Sequence, residues 1–331
     1  MSVACFALAS AFVGSLYLAP AHVRVLGHDD PRQIRQRGVA LSAVCALSLI
    51  YVMVTCSDVV PLGTRLGMVG LRVAGLVPAA VLPMVLTGTL FLGPMVCSAC
   101  ENVAYQRLRH NVRHMVRGGR TAATAATAAA APSPPPPPTP AFRFQWPTLG
   151  RMLENVRGGL YDPSTLRTLV VAPITEELVF RGCMSAIMMR AGHSPGYLIF
   201  TLPLFFGVAH AHHLYRLIVQ EERRVLRAVL ICLFQFMYTT LFGIYATFVL
   251  LRSGHLVAAI ICHMFCNYMG FPDFGWLTDA DSVVRKDRTL IGASFCVGIA
   301  GFYWGLFRLT RPAIYDVRST GFWHNFLREE V

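Results

Sequence analysis

Eight stretches of mainly apolar residues, several of them about 20 residues long, constrain the fold of this chain more than any other feature. The hydrocarbon core of a bilayer is about 30 Å thick, and an α-helix crosses it in roughly 20 residues. Backbone polar groups must be paired inside the bilayer, which a helix achieves within one segment. We therefore predict an all-α fold, a polytopic transmembrane helical bundle of about eight spans, at residues 2–19, 39–54, 75–97, 166–189, 195–214, 225–251, 255–269 and 290–309.

The composition supports a membrane protein. Hydrophobic residues make up 55% of the chain and charged residues only 14%, which is far too apolar for an ordinary soluble domain. The first stretch has no basic region before its apolar core and no clear cleavage site after it. We interpret it as a retained span rather than a secretory signal.

Charge and cysteine content exclude two other classes. The net charge of +12 comes from arginines, with Lys286 the single lysine, and these are spread over the loops between apolar segments rather than gathered on one domain, so no nucleic-acid partner is indicated. The odd-numbered loops carry most of them, which predicts that these loops face the cytosol and both termini the lumen. The ten cysteines lie mostly inside the apolar segments, where they act as small hydrophobic residues, and the C-x-x-C pair at Cys97 and Cys100 has no second pair to complete a zinc site.

Residues 120–147 divide the chain. This segment is rich in Ala and Thr and then contains a run of five prolines, a composition that cannot bury a core. We predict that it is a disordered linker between an N-terminal transmembrane scaffold of three spans, residues 1–119, and a catalytic transmembrane domain of five spans, residues 148–331. Only the second part carries unusual chemistry within its apolar segments.

The fourth apolar segment contains Glu176, Glu177 and Arg181. A charged residue at the centre of a membrane helix costs roughly 2.5 to 3.5 kcal/mol on insertion scales, so this helix must face a protein interior or a wet cavity. Glu177 and Arg181 are four residues apart with the acid first, the favourable order for an ion pair on one face. Glu176 points elsewhere and is a candidate general base. The alternative is that both acids only pair with Arg181 or with histidines to hold the helices together.

Two later segments end in polar motifs. His210, His212 and His213 follow an apolar run in which Phe206 shares a helical face with His210. Three histidines so close together favour a functional site over a buried structural histidine. In the seventh segment, His263 and Asn267 are also four residues apart, so an imidazole and an amide point in one direction, as an oxyanion hole requires. Interhelical hydrogen bonding is the alternative for this pair.

Other intramembrane protease mechanisms lack their signatures. The chain has no H-E-x-x-H zinc motif, Ser294 lacks the second glycine of G-x-S-G, and Lys286 lies in a loop beside aspartates. A glutamate, histidines and an asparagine remain. A zinc site formed by His210, His213, His263 and a glutamate is a further alternative.

Three motifs in this order resemble those of the type II CAAX endopeptidases, a family of glutamate-type intramembrane proteases. They are E-E-x-x-x-R at Glu176, Glu177 and Arg181, F-x-x-x-H at Phe206 and His210, and H-x-x-x-N at His263 and Asn267. Each motif alone is weak, but the three together with similar flanking residues are specific. The likeness extends to the N-terminal half and leaves out mainly the linker.

The resemblance implies an endopeptidase that removes the C-terminal -AAX tripeptide from prenylated CAAX proteins, such as farnesylated or geranylgeranylated small GTPases. It also implies a multi-pass protein of the endoplasmic reticulum membrane whose cavity opens to the cytosol and to lipid, with no metal and no other cofactor. By resemblance, Glu176 and His210 activate the attacking water, while His263 and Asn267 stabilise the oxyanion. Glu177 and Arg181 hold these groups in place, and Phe206 lines the cavity. A protease of non-prenylated peptides and a non-enzymatic transporter or scaffold are the competing hypotheses.

Overall fold

Helices form the regular structure of the computed structural model. It describes residues 2–18, 20, 23, 26, 29–57, 61–122, 162–279 and 281–316, with only the backbone path for residues 2, 113–122 and 220. No β-strand occurs in these ranges, and the predicted all-α class is confirmed. From residue 123 onward, the predicted disordered linker at 120–147 lies outside the described residues.

Each of the eight predicted apolar segments coincides with helical structure. The helices are α1 (Ser2–Ser15), α2 (Pro31–Thr55), α3 (Leu62–Met68), α4 (Leu76–Leu90), α5 (Leu92–Ala122), α6 (residues 163–190), α7 (Pro195–Ala209), α8 (residues 212–220), α9 (Val225–Ser253), α10 (Leu256–Met269), α11 (Gly275–Thr278) and α12 (Arg288–Leu309). Short 3₁₀ turns at Arg285–Asp287 and Pro312–Tyr315 lie on either side of α12.

Several helices are long and apolar enough to cross a bilayer. By length and composition, four segments of the described chain qualify, and α4 with the start of α5 makes a fifth if the two are counted as one bent span. The four are Pro31–Thr55, Pro195–Val219, Val225–Ser253 and Arg285–Leu309. Helices α1 and α10 are apolar but only 14 residues long. A helical membrane bundle is therefore supported, and the number of eight crossings stays a prediction.

Helix α6 carries the candidate acids and is built from alternating α-helical and π-helical turns. The π-helical turns are Arg167–Val171 and Glu177–Cys183. The helix begins at Pro163, whose missing N–H is no loss at a first position, and Asp162 caps it by accepting from the backbone of Ser164 and Thr165. Hydrogen bonds from these side chains, Ser164 first, lower the pKa of the exposed Asp162 carboxyl to about 2. π-helical turns are rare and often occur at functional sites.

The chain forms two compact units, residues 1–87 with 157–268 and 304–331, and residues 88–156 with 269–303. The core of the first unit includes Val179, Phe180, Met184 and Phe206, each at most 2% exposed. The smaller core of the second unit consists of Cys97, Trp276, Val284 and Ile291. All ten cysteines are free thiols. The predicted division into scaffold, linker and catalytic domain stays a prediction.

Candidate active site

Glu177 and Arg181 form a buried ion pair on α6, inside the first unit. Arg181 Nη1 donates to Glu177 Oε1 at 3.1 Å, and neither side chain has exposed surface. This is the pair that their four-residue spacing predicts. Burial of an ion pair is expensive, and removal of one partner leaves an uncompensated charge, so the two residues depend on each other.

His263 of α10 lies between the two glutamates. Its Nδ1 is 2.7 Å from Glu177 Oε1, and its Nε2 is 3.8 Å from Glu176 Oε2. Because a carboxylate accepts, the Nδ1–H of His263 donates to Glu177, and Nε2 faces Glu176. The Glu176 side chain is 19% exposed whereas Glu177 has no exposed surface. Glu176 is therefore the acid of this cluster that water can reach.

The end of α7 adds an aromatic ring and a second imidazole. The guanidinium carbon of Arg181 lies 4.0 Å from the centroid of the Phe206 ring, a favourable cation–π distance. Phe206 also contacts the rings of His210 and His263, with centroids 4.7 and 6.2 Å apart. His210 Nδ1 donates to the Phe206 carbonyl oxygen at 2.8 Å, since a carbonyl can only accept. A neutral His210 therefore has its free lone pair on Nε2.

Two residues of α9 complete the surroundings of Arg181, and the sequence motifs did not indicate either of them. A Cβ atom at Gly243 would lie 2.9 Å from Arg181 Nη2 and 2.8 Å from Pro203 Cβ, so only glycine fits there. The ring of Phe242 lies 4.8 Å from that of His263. A small residue within a long apolar helix signals close helix packing, which could have indicated Gly243. Phe242 has no distinguishing signal.

Asn267 lies one turn beyond His263 on α10. Its Nδ2 donates to the carbonyl oxygen of Thr168 at 2.9 Å, in the first π-helical turn of α6. The amide has two N–H donors, so this bond leaves one for another acceptor. The side chains of Glu176, Glu177, Arg181 and His263 thus form one cluster, and His210 is connected to it through the Phe206 ring. Asn267 contacts α6 only through the backbone carbonyl of Thr168 among the hydrogen bonds described.

The two other histidines of the motif at the end of α7 have protein partners of their own. His213 Nδ1 is 3.0 Å from Gln235 Oε1, and His212 Nδ1 is 2.7 Å from the Ala209 carbonyl oxygen. Within the described ranges, no group of three or more His, Cys, Asp or Glu residues is arranged to hold a metal ion. The described side chains therefore do not assemble the ligand set of the zinc alternative.

The fold and this site define a class: a helical membrane protein with a buried, partly water-accessible cluster of carboxylates and imidazoles. Residues 162–269, which carry all seven candidate residues, match the family described as Type II CAAX prenyl endopeptidase Rce1-like. The chain is also 33% identical over 320 residues to CAAX prenyl protease 2 of Homo sapiens, a match that covers 94% of this chain and 81% of that protein. The chain belongs to the type II CAAX prenyl endopeptidase family, and it is accordingly a protease.

Other relatives agree with this assignment over a shorter region. The chain is 40% identical over 153 residues to CAAX prenyl protease 2 of Arabidopsis thaliana, which covers 46% of each chain. It is 36% identical over 142 residues to the probable CAAX prenyl protease 2 of Schizosaccharomyces pombe, covering 42% of this chain and 51% of that protein. No solved structure matches the chain.

Proposed function

We propose that this protein removes the C-terminal -AAX tripeptide from prenylated CAAX proteins, such as farnesylated or geranylgeranylated small GTPases, by hydrolysis of a single peptide bond. The observation that carries the proposal is the cluster of Glu176, His263, Glu177 and Arg181, in a chain similar to CAAX prenyl proteases over most of its length. A prenyl chain holds such a substrate at the membrane surface, where an enzyme within the membrane can reach its C-terminus.

Glu176 and His210 are the proposed bases. Glu176 is the accessible carboxylate of the cluster, and the lone pair on His210 Nε2 is free because Nδ1 is bonded to the Phe206 carbonyl. Together they orient a water molecule and take its proton as its oxygen bonds to the carbonyl carbon of the prenylated cysteine. The proton then passes to the nitrogen of the leaving tripeptide as the C–N bond breaks. General acid–base catalysis of this kind contributes about 10²–10⁴-fold in rate.

His263 and Asn267 are the proposed donors to the oxyanion. Four-residue spacing on α10 directs both side chains to one side of the helix. Donation from His263 Nε2 requires the protonated imidazole, because Nδ1–H already donates to Glu177. Fixed donors of this type are worth about 10²–10³-fold each.

Glu177 and Arg181 are the proposed positioning residues, and Phe206 lines the cavity. Glu177 holds His263 by its Nδ1, and Arg181 holds Glu177 while covering the Phe206 ring. We further propose that the protein is a multi-pass protein of the endoplasmic reticulum membrane with its site open to the cytosol, where prenylated proteins are exposed.

The test is the variant Glu176→Gln in full-length protein reconstituted into liposomes. Mass spectrometry would follow release of the tripeptide from a farnesylated CAAX peptide and from the same peptide without the lipid. We expect the wild type to cleave the farnesylated peptide and Glu176→Gln to lose at least 100-fold in kcat. The exposed Glu222, changed to Gln, is the matched control and keeps its activity.

Each alternative has its own outcome. Undiminished cleavage by Glu176→Gln would remove this residue from the mechanism. Cleavage of the bare peptide alone would favour a protease of non-prenylated substrates. A wild type that cleaves neither peptide would contradict the proposed substrate class.

A further inference from the structure

Three arginines from three helices of the first unit lie close enough together to interact. Arg37 lies on α2, Arg167 on α6 and Arg216 on α8. The guanidinium of Arg37 interacts electrostatically with those of both other arginines. We call these three residues the arginine cluster.

The positive charge of the arginine cluster is only partly neutralised. Arg167 Nη2 is 3.1 Å from Asp29 Oδ1, and Arg216 Nε is 3.4 Å from Glu221 Oε1, an acid that also pairs with Arg223. Arg37 has no carboxylate partner within the described part of the chain, and its buried Nε has no hydrogen-bond partner there. Because no described carboxylate balances the charge of Arg37, which two other arginines repel, the cluster is suited to an anionic ligand.

Helix packing sets the distance between the arginine cluster and Glu176. Cys45 Sγ of α2 is 3.7 Å from the carbonyl oxygen of Thr175, the residue before Glu176. Arg37 and Arg167 each lie eight residues earlier on these two helices, which run side by side in one direction. Glu176 is one residue further along, so at 1.5 Å per residue the backbones of the two arginines are about 13 Å from its level.

A substrate tripeptide covers most of this distance. Each residue of an extended chain spans about 3.3–3.6 Å, so three residues cover about 10 Å. When the carbonyl to be attacked lies beside Glu176, the free carboxylate at the end of the tripeptide comes within reach of the long side chains of the arginine cluster. The guanidinium fork of arginine pairs with a carboxylate through two parallel hydrogen bonds.

We propose that the arginine cluster binds the free C-terminal carboxylate of the substrate, with Arg37 as the main contact. This inference rests on the proposed function and adds the residues that select its substrates. The distance from carboxylate to scissile bond is then fixed, and this selects a tripeptide as the leaving group. A chain that continues beyond the third residue would have no terminal carboxylate at the position of the arginine cluster.

A lipid phosphate is the competing anionic ligand, because arginines near helix ends often contact headgroups. The two ligands can be told apart by changing the substrate alone. Converting the peptide's terminal carboxylate to a carboxamide removes its charge and leaves the lipid unchanged.

The experiment compares a farnesylated CAAX peptide that has a free carboxylate with its C-terminal amide, using the full-length protein in liposomes of constant composition. We expect the wild-type KM for the amide to be about tenfold higher or more, with kcat less affected. Arg37→Gln should raise the KM for the free acid by a similar factor and leave the KM for the amide unchanged. Arg37→Lys should recover part of the loss, and Arg35→Gln, an exposed arginine on the same helix, should have no effect.

The possible results separate this inference from the proposed function. Equal KM values of the wild type for acid and amide would overturn the carboxylate site while the protease activity stands. An equal loss for both peptides in Arg37→Gln would also overturn it, and would assign Arg37 to lipid contact or folding. Absence of cleavage of either peptide by the wild type would contradict the proposed function and the carboxylate site with it.

Discussion

Glu177 is a fully buried acid that serves two partners at once. The same oxygen, Oε1, accepts from Arg181 Nη1 and from His263 Nδ1. The neighbouring Glu176 has more exposed surface and a longer contact, 3.8 Å, to the other ring nitrogen of His263, Nε2. Two adjacent residues of one type thus have different surroundings, which agrees with the different roles proposed for them.

At the residue scale we predict that Arg181→Met destabilises the protein by about 3–5 kcal/mol, because Glu177 then keeps a buried charge without its cation. Replacing both residues, as Glu177→Gln with Arg181→Met, should cost clearly less. Thermal or denaturant unfolding in mild detergent would measure both. Arg190→Met, at the other end of α6, is the control and should be close to neutral. Equal losses in the single and double variants would show that charge compensation does not explain the effect.

At the scale of the helices, a glycine and a π-helical turn allow close packing around the site. The π-helical turn of α6 starts at Glu177 and contains Arg181, which places both within the packed interior of the first unit. Because position 243 is glycine, α9 can lie close to both Pro203 of α7 and Arg181 of α6. Close packing of α9 therefore confines the guanidinium that holds Glu177.

At this scale, Gly243→Ala should destabilise the protein by about 1–3 kcal/mol and lower its protease activity. The added Cβ would lie within 3 Å of Pro203 and of Arg181, so α9 or the ion pair must shift. Gly14→Ala on α1 is the matched control, because no atom lies within 4 Å of its Cβ position. Unfolding and peptide-cleavage measurements on the pair would test this. Equal behaviour of the two variants would refute the close packing at α9.

On the scale of the whole molecule, the surface is unusually apolar. Leu226, Leu230, Leu233 and Leu241 of α9 are all more than half exposed. A soluble protein rarely leaves so many large apolar side chains in contact with water on one helix. Lipid is the solvent that accounts for them.

Topology offers a test at this scale. Residues 195–219 form a candidate span, so Gly192 and Glu222 lie beyond its opposite ends. The Arg-rich loop around Glu222 should face the cytosol. The chain has no N-x-[ST] site, so an acceptor-bearing loop inserted at Gly192 should be glycosylated in microsomes, and one at Glu222 should not. The reverse pattern would contradict the predicted orientation and the cytosolic opening of the site.

The sequence by itself determined which segments are helical and which residues are unusual within them. Long apolar segments predict helices, because a helix pairs the backbone polar groups of a buried segment within that same segment. The four-residue spacing predicted the Glu177–Arg181 pair for the same reason, since the geometry of a helix fixes its near neighbours. The family resemblance then supplied roles for seven residues, which stay predictions.

Only the tertiary structure decided which distant groups meet. Glu177 and His263 are 86 positions apart, and no local periodicity connects them. The same holds for Gly243 beside Arg181 and for the convergence of Arg37, Arg167 and Arg216. Such contacts depend on how whole helices pack, and that packing is the sum of many weak contacts spread along each helix. A short motif therefore indicates the chemistry available to the site, and helix packing determines the distances at which it can act.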